Sequence, residues 1–175
     1  MIGTLSDEPA LDRPDLLAPA VLAALQEWPR AKDVRVAEID PALADTAAFC
    51  ERYGAPLDTS ANCVVVTGKR EGNARYAACM VLATTRADVN GVVRRYLDVR
   101  KASFAAMDDA VALTSMEYGG ITPIGLPAWP ILVDARVPDL PEVVIGSGVR
   151  RSKLILPGAA LAALPGAEVI PDLAR

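Results

Sequence analysis

Met116-Glu117-Tyr118-Gly119-Gly120-Ile121-Thr122-Pro123-Ile124-Gly125-Leu126-Pro127 gathers three glycines and two prolines into one short stretch. Neither a helix nor an ordinary strand continues through such a run, so it reads as a shaped loop. Gly119 and Gly120 accept torsions and close approaches that a side chain forbids, while Pro123 lacks an N-H and stiffens the chain. One reading is a tight connection between a helix and a strand. The other is a loop that presses its peptide groups against a ligand.

Working outward, Met107 to Thr114 reads as a short helix before the loop. Pro130-Ile131-Leu132-Val133-Asp134, Val143-Val144-Ile145-Gly146 and Lys153-Leu154-Ile155-Leu156 read as strands after it, followed by a helix over 158–164 and a strand over 168–170. Upstream, apolar residues from Leu16 to Trp28 recur at helical spacing and stop at Pro29, and Val34 to Ile39 suits a strand. Asp40-Pro41 opens a helix carrying Phe49 and Tyr53 inward, which Gly54 ends. Asn62 to Thr67 and Tyr76 to Thr84 form a hairpin turning through 68–73. Asp88 caps a helix that buries Val89, Val92, Val93 and Tyr96 and leaves Arg94 and Arg95 in water. Helices and strands mix without a regular βαβ alternation, which predicts an α+β fold.

The 175 residues, 52% of them hydrophobic, suffice for one domain over 1–175 with a substantial core. Residues 1–13, rich in breakers, are expected to form a loose arm. Nothing near Met1 resembles a targeting signal and no run approaches a membrane span, so a cytoplasmic protein without a membrane partner is expected. Cys50, Cys63 and Cys79 lie among apolar residues and read as buried thiols. The chain has no histidine. That removes imidazole ligands and every Ser-His or Cys-His nucleophile pair. No clustered acidic motif suggests a metal, and no cofactor is expected. A net charge of −4 argues against general nucleic-acid coating and against DNA as a partner. Two basic clusters stand out, Arg94-Arg95 with Arg100-Lys101, and Arg150-Arg151 with Lys153. If they meet in space, they offer a docking place for an RNA end; alternatively the second keeps an edge strand soluble.

Taken in order, several motifs resemble the YbaK/ProX family, single-domain relatives of the editing domain of bacterial prolyl-tRNA synthetases. They are the hairpin over 60–84, Arg100-Lys101 before Phe104-Ala105, the helix ending at Thr114, Gly119-Gly120-Ile121-Thr122-Pro123-Ile124-Gly125, Ile131 to Asp134, and Gly146-Ser147-Gly148-Val149-Arg150. The resemblance implies a curved, mixed, partly barrel-like sheet with surrounding helices. It also implies hydrolysis of the ester joining a wrongly attached amino acid to the 3′ end of a tRNA, whose acceptor end would be the partner. It places Gly119, Gly120, Pro123, Asp134, Ser147 and Gly148 around the pocket. Many relatives carry a lysine where this chain has Ala61, followed by Asn62. A pocket that binds aminoacyl-tRNA, an amino acid or a nucleotide-like ligand without turnover is therefore the alternative.

An aminoacyl ester is already activated, so a site must mainly hold it, admit water and stabilise charge on the carbonyl oxygen. The expected catalytic group is Asn62 with the backbone of Gly119, Gly120, Ser147 and Gly148. Ser147 lacks a histidine partner, which favours hydrogen bonding over covalent attack. Lys101 is assigned to the terminal phosphate or adenosine, Tyr118 to adenine stacking, and Ile121, Pro123, Asp134 and Arg150 to the substrate-binding wall. Each has a structural competitor: a strand cap for Asn62, a turn cap for Asp134, and plain packing for Tyr118.

Overall fold

A computed structural model describes residues 1–175. The longest regular feature is a hairpin of β3 (Ala61–Arg70) and β4 (Asn73–Leu82), paired antiparallel over its whole length. Its Val-rich strands favour the extended state. The turn is only Glu71-Gly72, both at positive φ, as the tightest hairpin loops require. The expected turn from Gly68 is thus longer than the one formed. Gly68 stays in the ladder and pairs Ala102, and a Cβ on it would meet the Lys101 carbonyl at 2.5 Å.

Two sheets divide the strands. The larger runs β5 (Ala102–Phe104), β3, β4, β6 (Ile131–Asp134), β9 (Ala167–Ile170), and the smaller runs β1 (Asp7–Pro9), β2 (Arg35–Glu38), β8 (Ser152–Leu156), β7 (Val143–Gly146). A parallel bridge between Ser60 and Val144 joins them where β3 begins. Neither sheet closes on itself, so the barrel-like expectation reduces to two open sheets in an α+β fold.

Strand alternation sorts side chains into three apolar layers. The central layer lies between the sheets and holds Met80, Leu82, Val133, Ile145, Leu154 and Leu156, with Val21 and Leu25 from helix α1 (Pro19–Glu27). Outside the small sheet, helix α2 (Thr46–Tyr53) lays Phe49 and Cys50 over Ala37, Val144 and Ile155. Outside the large sheet, a wide turn over Val89–Val93 and helix α3 (Arg94–Leu97) cover Val66, Cys79, Val81 and Leu132. Asp88 caps that turn by accepting from the N-H groups of Gly91 and Val92. Tyr96 is half exposed and donates to Glu168, so it leaves the buried face expected of it. Helices α4 (Met107–Thr114) and α5 (Gly158–Ala162) complete the element order.

The first thirteen residues are not a loose arm. β1 pairs with β2, Ile2 and Leu5 enter the layer beneath α2, and Ala10 enters the central core. The breakers Pro9 and Pro14 mark the ends of short segments, and Arg13 ties Glu8 to Asp15. Leu5→Ala should therefore cost about 2–5 kcal/mol in urea unfolding, as for a buried leucine. A mobile arm would give no change.

Candidate functional site

A cavity of about 230 Å³ opens where the two sheets join. The Ser60–Val144 bridge lays the first residues of β3 beside β7, and β7 pairs Gly146 with Lys153 of β8. Asn62, Gly146 and Lys153 therefore fall in one row across three strands. Gly146 has no side chain, and a Cβ there would strike the carbonyls of Gly120 at 2.5 Å and Ile121 at 2.8 Å. The glycine loop can close over the row only because position 146 is bare. The start of α2 supplies the remaining wall with Asp45, Thr46 and Phe49.

Lys153 dominates the electrostatics of this cavity. It is 7% exposed, and its strand lies between β2 and β7 rather than at an edge, so the expected role in keeping an edge soluble does not apply. Alternation sends Ser152, Leu154 and Leu156 into the central core and Lys153 with Ile155 toward α2. The ammonium donates to the Ala44 carbonyl at 2.8 Å and lies 5.3 Å from the Phe49 ring centroid. An ammonium has three donors, so two remain. No carboxylate neutralises it; Asp45, on the cavity wall, lies 3.7 Å from Arg150 instead. Burial pushes its pKa down to about 8, with Arg150 adding to the fall and Cys50 and Asp45 opposing it.

Asn62 also lines the cavity, and its Oδ1 accepts from the Thr46 hydroxyl at 2.7 Å. That bond fixes which way the amide faces and leaves its NH2 to a ligand. In the loop, Gly119, Tyr118 and Ile121 line the cavity, with Tyr118 57% exposed at its mouth. Gly119 takes φ +83°, where a side chain would be strained and would collide with the Arg150 guanidinium. The N-H groups of Gly119 and Ile121 meet no protein acceptor. That of Gly120 is spent on Glu117, and its carbonyl accepts from Gly148. Gly120 therefore shapes the loop without offering a donor.

The other expected residues lie elsewhere. Ser147 is buried outside the cavity, its one hydroxyl proton shared between the Val149 and Ser152 carbonyls, each 3.1 Å away, with the Ser152 hydroxyl at 2.6 Å. It clamps the β7–β8 turn. Gly148 packs against Ala18 and Val21 of the α1 region. Asp134 is buried on β6, where the Arg136 guanidinium holds it with two bonds. Burial alone would raise this carboxyl, and the Arg136 bonds outweigh it, leaving the pKa below the ordinary range. Pro123 faces a second, more apolar groove of about 780 Å³ between Trp28 and Trp129. Arg150 stands behind the loop, bonding the carbonyls of Tyr118 and Pro41. Lys101 is exposed beside β5 at the far end of the hairpin. Its strand partner position is seven residues along β3 from Asn62, about 23 Å at strand rise. The two basic clusters therefore do not meet.

Lys153 is the group that reading the sequence missed. Its phase was the available signal, since it alternates with Ser152 and Leu154 while matching Ile155, which places it on the same side of the strand as a buried apolar residue.

The charge of Lys153 opposes folding. Its folded pKa lies below the unfolded value near 10.4, so stability should rise as pH climbs from about 8 to about 10.4. Below that window the penalty is on the order of 3 kcal/mol. Lys153→Met keeps the stem and removes the charge, and should raise stability at pH 7 by about 1–2 kcal/mol in urea unfolding. Asp134→Asn acts oppositely. It should lower stability at pH 7 and weaken the loss seen as pH falls through the carboxylate range.

No helix is long and apolar enough to cross a membrane, and no group of three or more His, Cys, Asp or Glu side chains could hold a metal ion. Comparison with known proteins then bears on the cavity. No curated protein matches the sequence. Among solved structures, one described as a "putative trans-editing enzyme for prolyl tRNA synthetase" superposes with TM-score 0.73 at 23% identity, covering 89% of this chain and 97% of its own. A hypothetical protein, APE2540, gives TM-score 0.75 at 19% identity over 87% of this chain and 99% of its own. A third, from Marinobacter aquaeolei VT8 and described as a signal transduction protein, gives 0.60 at 18% over 90% of this chain but 31% of its own. These likenesses show the fold. The family model for the aminoacyl-tRNA editing domain matches residues 40–164, a span that contains Asn62, the glycine loop and Lys153. The chain belongs to the aminoacyl-tRNA editing domain family.

Proposed function

We propose that this protein hydrolyses the ester joining an amino acid to the 3′ terminal adenosine of a tRNA, acting in trans on a molecule released by its synthetase. One observation carries the reading. A cavity inside the family-matched span gathers an amide, an ammonium and unpaired loop N-H groups, and no histidine is present to activate the hydroxyls and thiol on its wall.

The available side chains narrow the chemistry to attack by water. Cys63 and Cys79 are thiols, since burial pushes Cys79 to about 12 and raises Cys63 as well. Thiolate, not thiol, attacks a carbonyl. Of the hydroxyls on the wall, Ser60 donates to the Pro56 carbonyl and Thr46 to Asn62, while Ser147 is buried outside the cavity. With no histidine to make a stronger nucleophile, catalysis rests on orientation and charge stabilisation. Asn62 donates to the ester or ribose, the N-H groups of Gly119 and Ile121 face the reacting end, and a ribose hydroxyl helps place the water. Tyr118, exposed at the mouth, offers a ring to the terminal adenine. Asp45 on the same wall suits the α-ammonium of the aminoacyl group, opposite in charge to it.

Incubation with a panel of mischarged tRNAs tests the reading. At least one should lose its amino acid faster than in buffer, and Asn62→Ala should slow that turnover about tenfold or more while unfolding normally. No deacylation across the panel contradicts hydrolysis. Retention of an intact aminoacyl-tRNA would instead indicate a binding module.

A further inference from the structure

We propose that Lys153 is a catalytic residue of this site, holding the ester carbonyl oxygen and the oxyanion that forms from it. The proposal rests on the deacylase reading and adds a residue that supplies its main electrostatic effect.

Three observations lead there. Lys153 lines the cavity from a strand buried on both faces, so its ammonium cannot reach water by extending outward. It spends one donor on the Ala44 carbonyl and has no ion-pair partner, while lysines are almost never this buried unless paired. Its neighbours also keep its charge directed. Phe49 closes one side of the ammonium, and Arg150, a cation whose charge acts on it, is turned to the carbonyls of Tyr118 and Pro41. A buried, uncompensated ammonium facing a cavity is stabilised by any ligand that brings negative charge to it. An ester carbonyl does so only as it reacts, so the interaction strengthens toward the transition state.

The step balances without a further reagent. The water oxygen bonds the carbonyl carbon, and the carbonyl π pair moves to oxygen, where Lys153 donates a hydrogen bond and keeps its proton. The pair then re-forms the carbonyl, the bond to the ribose oxygen breaks, and that oxygen takes a proton originating from the water. The amino acid leaves as a carboxylate and releases the second proton to solvent.

The groups facing Lys153 are Cys50 and Asp45 from the α2 region and Arg150 from the β7–β8 turn. The ammonium loses its proton near pH 8, so turnover divided by the hydroxide-driven background should fall as pH passes that value.

Single-turnover deacylation of the tRNA identified by the panel, across that range, decides the matter in wild type, Lys153→Met, Lys153→Arg and Ala61→Lys/Lys153→Met. Loss of one such donor should slow Lys153→Met roughly a hundredfold. Its background-corrected profile should be flat. Lys153→Arg, charged throughout, should keep part of the rate and lose the fall near pH 8. Ala61 lines the same cavity, so Ala61→Lys should return part of the rate to Lys153→Met. A folded Lys153→Met within twofold of wild type overturns the proposal and leaves the deacylase reading standing. A fall near pH 8 that persists in Lys153→Arg also overturns it. Absence of wild-type turnover on every tRNA removes both.

Discussion

An ammonium without a counter-ion, held inside the protein by one carbonyl and one aromatic face, is the constraint on which the rest of this site depends. Water would solvate that charge far better than Ala44 and Phe49 do, so the position disfavours folding. β8 tolerates it because the residues around Lys153 are committed to packing. Leu154 and Leu156 fill the space between the sheets, Ile155 packs beneath α2, and Ser152 reaches the Leu16 carbonyl. A strand with so many partners holds its remaining side chain wherever the phase puts it. Stability is given up at one residue and recovered from its neighbours, a pattern common where function needs a strained or desolvated group.

The glycine loop works in the same arrangement through shape. Its residues come close to β7 because Gly146 is bare, and the close approach of Gly120 to Val149 leaves no space for a side chain at position 120. Arg150 then rivets the loop from behind, tying Tyr118 to Pro41. Gly119 and Ile121 are left facing the cavity with their N-H groups unspent. Two of the ligand walls are thus backbone, held by contacts that glycine alone permits.

Much of the fold was legible in the sequence, because its elements are signalled locally. The hairpin announces itself by its Val-rich strands, α4 by its short apolar period, and the end of α2 by Gly54, whereas Asp40-Pro41 opens a separate short turn over Pro41–Leu43 and α2 itself begins at Thr46. The family resemblance followed from motif order, and of the residues it and their chemistry singled out, Asn62 and Gly119 do line one cavity. Strand order was not legible, since it is set by pairings between residues far apart in sequence. Without it, β8 looked like an edge and Lys153 like a solvated charge. The same gap hid the pairing of β1 with β2, which turned an expected arm into core. Ser147 and Asp134 differ: the resemblance placed them at the pocket, whereas neither lines the cavity and their bonds go to the β7–β8 turn and to Arg136.

The most direct test is a crystal structure with an aminoacyl-adenosine in which an amide replaces the 3′ ester, since this mimic cannot be cleaved under the same conditions. The account predicts its carbonyl oxygen about 3 Å from Lys153 Nζ, with Asn62 on the same ligand and the adenine beside Tyr118. A mimic seated in the groove between Trp28 and Trp129, or in the cavity with its carbonyl turned away from Lys153, would contradict it.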